Sequence, residues 1–172
     1  MDKYIKKALD NGAAVVKIID PDKIVTAQWV RLKCRYGCDG YGKCLTCPPY
    51  SPTSDYTADM LKHYLKALLI TYNVKPEDEN RLWFQINEIV AEIERDMFLD
   101  GYYKAFGMGS GPCYLCEKCD TKKPCKYPHR ARPSMEACSI DVYQTVRNAG
   151  LKLEVVKSRD MPCTFCGLIL IE

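Results

Sequence analysis

Long apolar runs are missing from this sequence: none approaches the ~20 residues that a membrane-spanning helix needs. The opening residues, MDKYIKKALDNG, also lack the apolar centre and small-residue cleavage site of a secretory leader. A soluble, cytoplasmic protein is the expectation. Histidine is scarce, with His63 and His129 the only two. No Ser-His-Asp arrangement, phosphate loop or convincing pair of carboxylates is legible, so hydrolytic and phosphate-transfer chemistry lack a signature. No internal repeat, low-complexity segment or linker divides the 172 residues, and one domain spanning 1–172 is expected.

Cysteine is abundant by contrast, with eleven residues. A secreted disulfide framework usually has an even count spread along a shorter chain, whereas here the cysteines fall in tight local groups. That pattern points to metal or redox chemistry in a reducing compartment. The formal charge of +3 hides a strong asymmetry. Residues 76–100 carry eight acidic and two basic side chains, while residues 113–132 carry six Lys or Arg against Glu117 and Asp120. Positive charge gathers where cysteine gathers.

The frame around the cysteines alternates. Tyr4, Ile5, Ala8 and Leu9 predict a short helix over 3–10, stopped at Gly12. Strands are predicted at 13–19, 25–33, 67–74, 102–108, 151–156 and 167–171, and helices at 54–66, 77–99 and 134–149. Leu82, Ile86, Ile89, Val90, Ile93 and Met97 make 77–99 the most strongly periodic segment, with an acidic outer face. The expected fold is α/β, a mixed sheet of about five or six strands flanked by helices, with a parallel strand–helix–strand crossover and cysteine-rich metal-binding loops.

The cysteine groups lie in the gaps of this frame. Cys113, Cys116, Cys119 and Cys125 form CxxCxxCxxxxxC. Three cysteines at two-residue intervals wrap three corners of a 4Fe–4S cube, with a fourth arriving from further along. Zinc prefers two separated pairs closing one tetrahedron, so iron–sulfur is the favoured reading and zinc the alternative. Cys138 competes with Cys125 as fourth ligand. The other group is Cys34, Cys38, Cys44 and Cys47, where Gly37, Gly40 and Gly42 permit sharp reversals and Pro48 and Pro49 stiffen the exit. Cys163 and Cys166 form a lone CxxC open to three readings: a redox dithiol, additional ligands, or buried cysteines. The glycines of GMGSG, 107–111, precede Pro112 instead of a helix, so they are read as letting the backbone approach a cluster.

The stretches GCDGYGKCLTCPPYSPT and GPCYLCEKCDTKKPCKYPHRARPSMEACSIDVYQTVRNAGL closely resemble an uncharacterised prokaryotic family of predicted metal-binding proteins, common in anaerobes and archaea. The similarity covers nearly the whole chain, and KYPHRARPSMEACSIDV is its most specific part. The resemblance implies metal binding and no established reaction. It supports Cys34, Cys38 and Cys47 with the proline pair, together with Cys113, Cys116, Cys119 and Cys125, and it leaves Cys44, Cys163 and Cys166 unassigned. If only Cys34, Cys38 and Cys47 hold the first cluster, one iron keeps an open position, which converts an electron carrier into a catalyst for thiol or sulfur chemistry.

The leading expectation is therefore an iron–sulfur protein with two 4Fe–4S clusters in electron transfer. The alternatives are a cluster-dependent enzyme and a zinc-binding interaction or nucleic-acid module. Lys122, Lys123, Lys126, Arg130 and Arg132 form a basic rim that would raise the cluster's reduction potential and steer an acidic redox partner. Nucleic acid is disfavoured, because no aromatic platform or basic helix accompanies the rim.

Overall fold

The structure is a computed structural model describing residues 1–113, 115–158 and 160–172. Its centre follows directly from two apolar segments that alternate at period two. In strand β2, Lys66–Val74, the side chains of Leu68, Ile70, Tyr72 and Val74 enter one core, while Ala67 and Leu69 enter the other. In strand β4, Cys163–Ile171, Ile169 and Ile171 share the first core, and Cys166, Leu168 and Leu170 share the second. Each fully buried aliphatic side chain contributes about 1.5–3 kcal/mol relative to exposure, which makes this strand pair the main source of stability. Strands β1, Val15–Ile19, and β3, Phe106–Met108, complete a four-stranded sheet in the order β1-β2-β4-β3. Every pairing is antiparallel, with Lys17 opposite Leu69, Leu69 opposite Leu168, and Met108 opposite Leu168.

Helices cover both faces. Helix α1, Asp2–Asp10, contributes Tyr4 and Ala8 to the first core. The long helix α4, Glu79–Leu99, buries Leu82, Ile86, Ile89, Val90, Ile93 and Met97 there, as its 3.6-residue period requires. It ends where Gly101 takes a φ of 101° and the Tyr102 amide reaches back to Met97 O at 3.0 Å. On the opposite face lie α3, Ser54–Leu61, and α5, Val142–Asn148, with Met135, Cys138 and Ile140 between them and the sheet. Side chains cap both of these helices: Thr53 accepts from the Tyr56 amide at 3.3 Å and Asp141 from the Gln144 amide at 2.9 Å. No helix among the described residues is long and apolar enough to cross a membrane.

Several expectations change. The sheet has four strands instead of five or six, and it is antiparallel instead of mixed. β2, α4 and β3 do follow one another, and β2 and β3 do run in the same direction, but β4 is inserted between them. Residues expected to form a strand at 25–33 instead enter helix α2, Gln28–Gly37. Gln, Arg, Leu and Lys are good helix formers, and the helix presents only Val30 to the core. The predicted helix over 134–149 is cut to α5, because residues 134–140 turn to form bridges from Ser134 to Gly109 and from Ile140 to Thr26. No strand forms at 151–156, where Lys152 and Glu154 point outward, and β4 starts at Cys163 instead of 167.

This frame fixes three segments around the cysteines. Residues 109–133 are clamped onto α4 at both ends. Glu94 accepts the Gly107 amide at 2.7 Å and receives Arg132 through both carboxylate oxygens, one contact from Arg132 Nη2 measuring 2.6 Å. Trp83 Nε1 donates to Ser110 O at 2.7 Å, and Asn87 exchanges bonds with Ser110. The GMGSG glycines make this approach possible. A Cβ at Gly109 would lie 1.8 Å from Asn87 Oδ1, and one at Gly107 2.7 Å from Val90 Cγ1. Their close neighbour is therefore α4, and Gly111 also lines a cavity bordered by Cys34, Cys38 and Cys47.

Candidate metal centre

The sulfurs come from α2, from the loop at 38–53 that follows it, and from the loop at 109–133. Within the first loop the chain reverses at two glycines. A Cβ on Gly40 would sit 2.9 Å from Pro112 Cβ and 3.2 Å from Cys47 Sγ, while Gly42 adopts a φ of 71° and its amide donates to Pro48 O at 2.8 Å. The reversal turns Cys44 toward the loop at 109–133 while keeping it beside Cys47. Cys44, Cys113, Cys116, Cys119 and Cys125 line one cavity of about 570 Å³. Cys34, Cys38 and Cys47 line a second cavity of about 320 Å³, and Pro112 forms part of both walls.

The four cysteines between 34 and 47 therefore do not border one common cavity. The Cys44 thiol points to Cys113 O at 3.3 Å and stands at the boundary, beside Cys119 and Cys116 on one side and Cys47 and Cys38 on the other. Among the described residues, no three His, Cys, Asp or Glu side chains converge where a single metal ion fits. The sulfurs are distributed around cavity walls instead.

Local backbone bonds suit these sulfurs to negative charge. The Gly40 amide donates to Cys38 Sγ at 3.4 Å, the Tyr127 amide to Cys125 Sγ at 3.4 Å, and the Leu115 amide to Cys113. Each donor lies two residues after its cysteine. Amide bonds of this kind orient a metal-bound thiolate and tune its potential. Burial acts in the opposite direction. It pushes the Cys47 thiol up to about 12, reinforced by Cys44. It also raises Cys34, Cys44 and Cys113, with further increments from Cys38 at Cys34 and from Cys119 at Cys44. Crowded, desolvated thiols repel ionisation of one another, and a bound cation removes that penalty while protons are released. The donor set thus fits a positively charged metal centre.

One residue of the second cavity has no counterpart in the cysteine spacing. Glu136 lines its wall, and its backbone carbonyl lies 4.0 Å from Cys34 Sγ. The residue is exposed, and nearby protein atoms hold its carboxyl above the ordinary range by desolvation. The turn that carries it is fixed on both sides: Ser51 Oγ donates to Ala137 O at 2.6 Å, and the Ala27 amide donates to Ser139 O at 2.8 Å.

The remaining cysteines lie away from both cavities. Cys138 and Cys166 are buried in the second core. Cys163 packs against the first core, because residues three apart on a strand point to opposite faces. Strand geometry thus separates the two thiols of the CxxC. The basic rim divides as well. Arg132 is held by Glu94 and by the carbonyls of Pro128 and Ala131 at 2.9 Å, and Arg130 pairs with Glu88. Lys122, Lys123 and Lys126 are exposed, with Lys123 3.5 Å from Asp120.

No curated protein and no solved structure matches the chain. A protein family does match, over residues 17–171, a span that holds both cavities and all eleven cysteines. The chain belongs to that family, DUF2284, described as predicted metal-binding proteins.

Proposed function

We propose that the chain holds two 4Fe–4S clusters and passes single electrons to and from a protein partner. The observation that carries this reading is the distribution of eight thiols over two adjoining cavities that share Pro112. A cube takes each thiolate at a separate iron corner, which matches sulfurs spread over cavity walls. Cys113, Cys116 and Cys119, with Cys125 or Cys44, would hold the second cluster, and Cys34, Cys38 and Cys47 the first. When bound, such clusters supply reversible one-electron chemistry. The chain's own residues seat them, exclude water at Cys47 and direct amides at Cys38, Cys113 and Cys125. The exposed Lys122, Lys123 and Lys126 would meet an acidic redox partner.

Anaerobic purification, followed by iron and sulfide analysis and EPR of the reduced protein, tests the reading. About eight iron and eight sulfide per chain are expected, the content of two four-iron cubes. A colourless protein that carries zinc alone overturns it. A second reading, catalysis at an open iron, draws on the count of three thiols at the Cys34–Cys47 cavity. It predicts that a small thiol added to the reduced protein changes the EPR signal of one cluster and leaves the other unaltered.

A further inference from the structure

We infer that Cys44 and Cys47 are a redox dithiol, which a low-molecular-weight disulfide closes to a protein disulfide when no metal holds the pair. Cys44-Leu45-Thr46-Cys47 repeats the CxxC spacing of Cys163 and Cys166, yet the backbone treats the two pairs oppositely. In β4 that spacing sends the thiols toward different cores. At Cys44 it closes a turn instead, because the Cys47 amide donates to Cys44 O at 3.0 Å. The ends of such a turn lie less than about 7 Å apart at Cα, within the span that a disulfide bridges. The side chains have already met, since the Cys47 thiol donates to the Cys44 sulfur.

The pair also straddles the two cavities, with Cys44 on the wall of the larger and Cys47 on that of the smaller. Without Cys44 the larger cavity keeps Cys113, Cys116, Cys119 and Cys125. Without Cys47 the smaller keeps Cys34 and Cys38 alone. A bridge therefore disables the smaller site and spares the larger. That consequence rests on the two-cluster proposal, whereas the bridge itself does not. Exposure sets the order of the chemistry: Cys44 is partly exposed and Cys47 is buried. The Cys44 thiolate attacks one sulfur of the small disulfide and releases a first small thiol. Cys47 gives up its proton and attacks the Cys44 sulfur of the mixed disulfide, which releases the second. Two protein thiols are oxidised, one small disulfide is reduced, and both protons end on the small thiols. A thiolate bound to iron is withdrawn from this exchange, so a loaded centre protects the pair.

The test treats metal-free protein anaerobically with oxidised glutathione and maps the bridges by peptide mass spectrometry. Wild-type protein is expected to lose about 2 Da, two hydrogen atoms, at a bridge between Cys44 and Cys47 that dithiothreitol reopens. The double variant C163S/C166S should form the same bridge. Reconstituted wild-type protein, given the same treatment, should keep its iron and lose the bridge from its peptide map. Reconstituted C34S, whose smaller site lacks a thiol while the larger stays loaded, should form the bridge again. The inference is overturned if Cys44 and Cys47 stay thiols or pair with other cysteines in the metal-free wild-type protein. It is also overturned if reconstituted wild-type protein forms the bridge with its iron content unchanged. A protein that takes up no iron overturns the cluster reading instead and leaves a mapped bridge standing.

Discussion

The two cysteine loops solve the same problem with opposite reserves. The loop at 109–133 is clamped to α4 at both ends and borders a cavity with five thiols. The loop at 38–53 leaves a helix that buries only Val30, and its cavity has three thiols. One cavity has five thiols and a rigid support; the other has three thiols, with Cys44 of the larger cavity beside its Cys47. A surplus of donors favours robustness, whereas a deficit leaves coordination open to exchange, so on the two-cluster proposal the larger cavity suits electron storage and the smaller one an exchangeable iron.

The largest expected effect breaks that comparison at the metal. On the two-cluster proposal, replacing Cys34, Cys38 or Cys47 by Ser removes one of three sulfurs and should cost about half of the bound iron, one four-iron cube of two. Replacing Cys44 or Cys125 alone leaves four thiols on the larger cavity and should preserve the full content. Iron per chain after anaerobic reconstitution measures both. Equal losses in C38S and C125S would show that the fifth thiol provides no reserve.

The support for the larger site is the next place to intervene. Glu94 and Arg132 are 12% and 16% exposed, and the same carboxylate receives the Gly107 amide. Removing one partner from such a pair costs about 3–5 kcal/mol, because the other charge stays desolvated. E94A should therefore lower the urea midpoint strongly and loosen the second centre before the first. The Glu88–Arg130 pair is its control, exposed at 41% and 44%, and E88A should cost only about 0–1 kcal/mol.

Alkaline pH distinguishes the sites through their thiols. Cys47, Cys138 and Cys166 are each raised by burial from 9.0 to about 12. A folded-state pKa above the unfolded value means that the folded chain binds the proton more tightly. Stability is then complete below pH 9 and declines as pH rises from about 9 to about 12. Metal-free protein should lose chemical stability across that window. Loaded protein should show a smaller slope, because Cys47 is already a thiolate there while Cys138 and Cys166 still titrate. Metal uptake itself should weaken as pH falls, since each ligand must surrender its proton.

The same contrast explains what was legible in the sequence. Helix α4 was readable because Ile86, Val90, Ile93 and Met97 repeat at helical spacing, and β2 because its apolar run is short and bounded. Helix α2 was misread because VTAQWVRLK alternates well enough for a strand, with Val25, Ala27 and Trp29 at the two-residue spacing of one strand face. Cys163 and Cys166 suggested a loop motif, but Thr164 and Phe165 pair with Asn73 and Tyr72 and carry both cysteines into β4. At the site, the local cysteine runs identified the sulfurs. Their division between cavities depends on the reversal at Gly40 and Gly42, which spacing does not encode. The place of Glu136 on the wall of the smaller cavity had no signal, because a residue brought there by a distant turn leaves no periodic trace.

The smallest expected change in stability concerns the exposed lysines. Lys122, Lys123 and Lys126 lie on the better-supported loop, and none enters a buried pair. Substituting all three by Gln should change stability by less than about 0.5 kcal/mol per site, as for ordinary surface positions. If the rim steers an acidic redox partner, the association rate should fall and its dependence on salt should flatten, because rim charges act chiefly on encounter. Stopped-flow electron transfer from an acidic donor protein, measured over a range of ionic strength, reads this directly. An unchanged rate and salt slope would place docking elsewhere, and the three-thiol cavity beside exposed Trp29 would become the face through which electrons enter.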